Sequence, residues 1–256
     1  MGSIASWPIT LGLAAAMGVL ALAGVWVASA LRLGGRAWVR RALGFASGFM
    51  FAFALVDILP EALAESPQAH VAAVAGFVLF YVAERLFDIH LCPAGADDCA
   101  THEHSHGPVG GFALAGLATH SVVDGLAIGS ALVASPRLAI LVAVAVALHK
   151  VPDGFCMGSL LCIEEQDKLR WDQALLFAAA TPLGIVAAYA GLAGAEGSAV
   201  GLVLGLSAGS FLYIAAADLL PEAHMELRGR GDRAWVMAAV VLGAVLAVSL
   251  TLVGGA

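Results

Sequence analysis

The sequence predicts an all-α, polytopic membrane protein with eight transmembrane helices, part of it built as an inverted repeat. Two observations give the class and a third gives the repeat. Of 256 residues, 61% are hydrophobic and 12% charged, about half the charged fraction of an ordinary soluble domain. The apolar residues gather into eight runs, each near the roughly 20 residues a helix needs to cross the hydrocarbon core. Gly44-Phe45-Ala46-Ser47-Gly48, leading to Asp57-Ile58-Leu59-Pro60-Glu61-Ala62, reappears as Gly205-Leu206-Ser207-Ala208-Gly209, leading to Asp218-Leu219-Leu220-Pro221-Glu222-Ala223, at a constant offset of 161 (218−57, 222−61). A match in fixed register is the mark of a duplication.

The runs follow in order. The first, 9–31, is preceded by no Lys or Arg and is longer than the apolar core of a signal peptide, so it is expected to be a retained first span. The second, 42–64, carries the first copy of the repeat, and the third, 71–89, ends in Glu84, Arg85 and Asp88, expected to form an interfacial charge network. A loop over 92–108 holds Cys92, Cys99 and the alternating His102, His104 and His106 among acidic residues. That composition reads as a metal-binding tract without the spacing of a closed structural zinc site. The fourth and fifth runs, 110–134 and 138–163, are followed by the sixth, 174–193, the seventh, 199–219, with the second copy, and the eighth, 234–253. No room is left for a sizeable soluble domain, and the whole of 1–256 is expected to be one transmembrane unit.

Basic residues set the orientation. Arg32, Arg36, Arg40 and Arg41 follow the first run, Arg85 ends the third, Lys168 and Arg170 follow the fifth, and Arg228, Arg230 and Arg233 follow the seventh, so ten of the twelve Lys and Arg fall on one side. By the positive-inside rule that side is the cytoplasm, with both termini outside, in an inner or plasma membrane. The second run then points outward and the seventh inward, which inverts the two copies. Asp57 and Glu61 are expected at an outer mouth, and Asp218, Glu222 and His224 at an inner exit. Inverted repeats of this kind characterise alternating-access transporters. The plainer reading is that Leu-Pro-Glu merely ends two helices. Cysteines on the reducing side or within a span make a disulfide framework unexpected.

Within the fourth and fifth runs lie His120-Ser121-Val122-Val123-Asp124-Gly125 and His149-Lys150-Val151-Pro152-Asp153-Gly154. A charged side chain at mid-bilayer costs about 2.5–3.5 kcal/mol on insertion scales, so such groups persist where an ion path, a proton relay or a metal offsets the cost. Residues four apart share a helix face, so His120 with Asp124 and His149 with Asp153 would bring two nitrogens and two carboxylates to one point. Such a donor set suits Zn, Fe, Mn, Co or Cd without choosing among them. Pro152 and Pro182 remove the helical partners of the Leu148 and Ala178 carbonyls, which become available beside the cluster. One intramembrane His alone would read equally as a packing residue.

These two motifs, with Asp-Leu-Leu-Pro-Glu-Ala in the seventh run, resemble those of the ZIP (Zrt-, Irt-like) family of divalent metal transporters over nearly the whole chain. The resemblance implies a homodimer, a 3+2+3 arrangement in which the inverted repeat flanks the fourth and fifth helices, and delivery of metal into the cytoplasm. Members with a two-metal centre carry an Asn, an acid and a Glu where this chain has Ser121, Lys150 and Thr181. The expectation is therefore one metal, held by His120, His149 and Asp153 with Asp124 as a fourth ligand, and with Lys150 as a fixed cation in the second ion's place. A structural salt bridge is the other reading of Lys150.

Two rival classes, an intramembrane metal-dependent hydrolase and a metal sensor or receptor, stand beside this reading, and a flux assay separates all three. An intramembrane metal-dependent hydrolase would need a base such as the Glu of His-Glu-x-x-His, which the chain lacks. A metal sensor would bind without flux. No phosphate-binding Gly-x-x-x-x-Gly-Lys-Ser/Thr loop is present; no catalytic cofactor, nucleotide or nucleic-acid partner is expected, only divalent metal ions, Zn foremost, the bilayer and a second copy of the chain.

Overall fold

The computed structural model describes residues 7–31, 36–87, 109–164, 171–195, 197–224 and 229–254. All regular structure in them is helical. The elements run α1 (Trp7–Leu31), α2 (Arg36–Phe53), a π-helical turn (Ala54–Ile58), α3 (Leu59–Glu65), α4 (Ala69–Phe87), α5 (Val109–Ala134), α6 (Pro136–Glu164), α7 (Trp171–Leu192), α8 (Gly197–Tyr213), a second π-helical turn (Ile214–Leu219), α9 (Leu220–His224) and α10 (Arg230–Gly254). Helices are what lipid demands, since every backbone N–H and C=O must find a partner inside the segment. The predicted loop 92–108, with His102, His104 and His106, lies outside the described residues.

Among the described residues seven helices are long and apolar enough to cross a membrane: Trp7–Ala28, Arg40–Glu65, Ala115–Ala134, Pro136–Phe155, Trp171–Leu192, Gly197–His224 and Arg230–Val253. The third run of the sequence is α4, which is not one of the seven. Large apolar side chains such as Val19, Trp26, Ile140, Val241 and Leu252 face outward. That distribution would be an aggregation hazard in water and is the ordinary surface of a protein in lipid.

Two long helices are each interrupted in the same way. The prolines of Leu59-Pro60 and Leu220-Pro221 would collide with the carbonyl four residues back in an α-helix. Each is preceded by a π-helical turn in which the Leu N–H reaches five residues back, Leu59 to the Ala54 carbonyl and Leu220 to that of Ala215. The helix thus accommodates the proline without breaking, and the repeated Asp57 and Asp218 both fall in these turns.

Packing groups α1 with α6 and α7, α5 with α7, α2 with α10, and α4 with α8, while α5 also meets α8 and α2 meets α6. Glycine makes the approach possible. A Cβ on Gly125 would lie 2.3 Å from the Thr181 carbonyl oxygen, and one on Gly154 would lie 2.2 Å from that of Ala21. Small residues let helices close to backbone contact where no hydrophobic force between helices exists. Gly44 and Gly48 lie against Val236 and Val240, as Gly205 and Gly209 lie against Ala69 and Ala73. α5 and α6 are thereby held with their polar faces buried.

Candidate metal centre

His120 and Asp124 stand one turn apart on α5, and His149 and Asp153 one turn apart on α6, all four buried. Each offers one ligand atom, and those atoms lie within 4.8 Å of one another, the one such group among the described residues. His120 Nε2 is 3.5 Å from Asp124 Oδ2 and 3.3 Å from Asp153 Oδ2. His149 Nε2 is 3.3 Å from Asp124 Oδ2 and 3.9 Å from Asp153 Oδ2. A tetrahedral zinc with bonds near 2.0 Å has edges of about 3.3 Å, so the nitrogen-to-oxygen separations are already close to those a single ion requires.

The ring of His149 is oriented from behind. Its Nδ1 lies 2.9 Å from the Ala145 carbonyl oxygen; a carbonyl only accepts, so Nδ1 carries the proton. Nε2 faces the two carboxylates, 3.3 Å from Asp124 Oδ2, and a neutral ring protonated at Nδ1 is the form a metal ligand needs. His120 Nδ1 and one oxygen of Asp124 are buried without a hydrogen-bond partner. Such orphaned atoms cost stability unless a ligand or water meets them.

Lys150 completes the cluster. Its Nζ is fully buried and donates to Asp124 Oδ2 at 2.7 Å and to Ser121 Oγ at 3.1 Å, with Asp153 Oδ2 3.6 Å away. The Asp124 oxygen it binds is the one that faces both imidazoles. Two carboxylates and one ammonium leave the cluster at −1 with neutral imidazoles, and a dication would bring it to +1. Thr181, on the α7 face packed against α5, has a buried hydroxyl without a partner.

The remaining predicted site residues lie elsewhere. Asp57 is buried in the first π turn, where one oxygen accepts the Thr251 hydroxyl and the other lies 3.7 Å from Arg137 Nη2. Glu61 is half-buried in the first turn of α3. Asp218 is half-buried in the second π turn beside Glu84, which accepts the hydroxyl of Tyr213. Glu222 is buried in α9, and His224 is exposed with its Nδ1 donating to the Leu220 carbonyl at 2.9 Å. The sequence reading missed Arg137, Tyr213 and Thr251. For Arg137 a signal existed: with Lys150, it is one of the two basic residues outside the group of ten.

Comparison with known proteins bears on this arrangement. A family model described as "ZIP Zinc transporter" matches residues 93–251. "Zinc transporter ZIP9-B" of Xenopus laevis is 33% identical over 161 residues, which is 59% of this chain and 52% of the relative. "Zinc transporter ZIP9" of Macaca fascicularis is 34% identical over 153 residues, 53% of this chain and 65% of that protein. "Protein zntC" of Dictyostelium discoideum is 36% identical over 115 residues, 43% of this chain and 28% of that protein. The chain spans about half the length of the curated relatives it matches.

Proposed function

Because the chain belongs to the ZIP zinc transporter family, we propose that it is a secondary transporter that carries Zn2+ across the membrane into the cytoplasm by alternating access, through one intramembrane His/Asp site. The observation that carries the reading is the buried convergence of His120, His149, Asp153 and Asp124, with nitrogen-to-oxygen separations of 3.3 to 3.9 Å. The ion is the substrate. An arriving dication sheds water, takes the lone pairs of the two imidazole Nε2 atoms and the Asp153 carboxylate, and meets Lys150 as competitor for Asp124. Fe, Mn and Cd fit the same donors.

One ion, not two, follows from Ser121, Lys150 and Thr181 in the positions where a second ion would need ligands. The Lys150 ammonium, 2.7 Å from Asp124, is the reading's local support, because a second dication beside it would meet strong repulsion.

Alternating access, with eight spans in a 3+2+3 inverted repeat, is supported by how the two copies pack. α2 meets α10 as α8 meets α4, and α1 meets α6 as α7 meets α5. The offsets hold at contact level. Gly243 lies against Phe45 and Gly76 against Leu206, which is 161 on one side (206−45) and 167 on the other (243−76). The orientation with both termini outside, a homodimeric state and the service of Asp57 and Glu61 outside, and Asp218, Glu222 and His224 inside, belong to the same proposal.

Purified protein in proteoliposomes tests it, with zinc uptake read by an internal fluorescent chelator and a panel of competing ions outside. The expected result is saturable uptake that Asp153→Ala abolishes. A metal sensor would bind zinc without uptake, and equal flux in wild type and Asp153→Ala would refute the path.

A further inference from the structure

At the end of the bundle away from the N-termini of α2 and α10, three elements meet around one carboxylate. Asp57, in the first π turn, is buried; Thr251, in the last turn of α10, donates its hydroxyl to one Asp57 oxygen. Arg137, in the first turn of α6, approaches the other oxygen at 3.7 Å and donates to the Thr251 carbonyl at 3.0 Å. That carbonyl is among the last four of its helix, which have no intrahelical partner and carry the negative end of the helix dipole. A carboxylate, a hydroxyl and a carbonyl thus form a set of oxygens suited to a cation, and a guanidinium fills it.

Two further observations separate Arg137 from a chance surface ion pair. Of the described Lys and Arg residues, Arg36, Arg40, Arg41, Arg230 and Arg233 stand near the N-termini of α2 and α10, Arg85 in the last turn of α4 and Lys150 within α6, so Arg137 is the remaining one. Its helix, α6, is also the one that carries His149 and Asp153. At the other end of the bundle the offset of 167 places Glu84 where Thr251 stands (251−84), beside Asp218, the counterpart of Asp57. The repeated aspartate there meets a second carboxylate in place of a hydroxyl.

We propose that Asp57 and Thr251 form the first cation station on the path, and that the Arg137 guanidinium occupies it as a tethered surrogate ion which an incoming divalent metal must displace. The proposal rests on the transport reading above. A monovalent ion gains little over the guanidinium at these oxygens, whereas a dication interacts about twice as strongly with the same carboxylate; Arg137 therefore favours divalent over monovalent cations and lowers the occupancy of the station at low metal.

Kinetics of zinc uptake in proteoliposomes, with each variant normalised to folded protein by size-exclusion chromatography, test it. Arg137→Gln should lower KM by about three- to tenfold, because a cation at the mouth is removed, with kcat moving less; Arg137→Lys should return KM toward the wild-type value. Asp57→Asn should raise KM, and Arg137→Gln added to it should change nothing more. An unchanged KM in Arg137→Gln, or the same KM shift with and without Asp57→Asn, overturns the proposal. If the glutamine variant does not fold, Asp57→Asn decides alone, and an unchanged KM there is fatal. Failure of the transport reading looks different: wild-type liposomes would then take up no zinc, or Asp153→Ala would match them.

Discussion

His149 shows most clearly how much of the site is prepared before an ion arrives. Its Nδ1 proton is held by the Ala145 carbonyl, so the ring would present Nε2 to an ion without a rotamer change. His149→Ala and Asp153→Ala are accordingly expected to reduce zinc uptake to background while expression and elution profile stay near wild type, since each would remove a proposed ligand. Lys150 acts in the opposite sense. On the proposed function its charge would oppose the metal and neutralise the carboxylates left when the metal departs. Lys150→Ala should therefore tighten zinc binding in equilibrium dialysis and slow turnover; unchanged binding with normal uptake would make Lys150 a structural residue only. Lys150→Glu combined with Thr181→Glu should admit a second ion.

At the scale of the element, the close contact of α1 with α6 and of α5 with α7 holds the faces that carry His120, Asp124, His149 and Asp153. At Gly154 any side chain would press on the Ala21 backbone, and Gly154→Val should cost about 1–3 kcal/mol by overpacking, seen as a lower melting temperature in detergent. Gly12, with nothing within 4 Å of its would-be Cβ, supplies the control: Gly12→Ala should leave that temperature unchanged or raise it. The helices themselves were legible in the sequence because an apolar run of spanning length has one outcome in lipid, and the two His-x-x-x-Asp motifs because helical spacing puts i and i+4 on one face. The π turns were not. Leu-Pro marks where an α-helix must yield, but whether it kinks, ends or takes an extra residue depends on the neighbours packed against it. Nor was the Asp57, Arg137 and Thr251 contact, which joins residues far apart in sequence and needs the packing of α6 and α10 at the first π turn.

For the whole molecule, the proposal is one ion and one path, with the two copies of the repeat meeting the site from opposite ends. His102, His104 and His106 are expected to modulate transport and not to carry it. Replacing all three with Ser should alter uptake rate or its dependence on zinc concentration without stopping it, and a loss as complete as that of Asp153→Ala would place the path wrongly. The position of the ion tests the central claim most directly. Zinc-edge anomalous scattering from crystals of the zinc-soaked protein should give a single strong peak between α5 and α6, about 2.0–2.2 Å from His120 Nε2, His149 Nε2 and an Asp153 oxygen. Two fully occupied peaks there, or a strong peak elsewhere in the bundle with none among these residues, would contradict it.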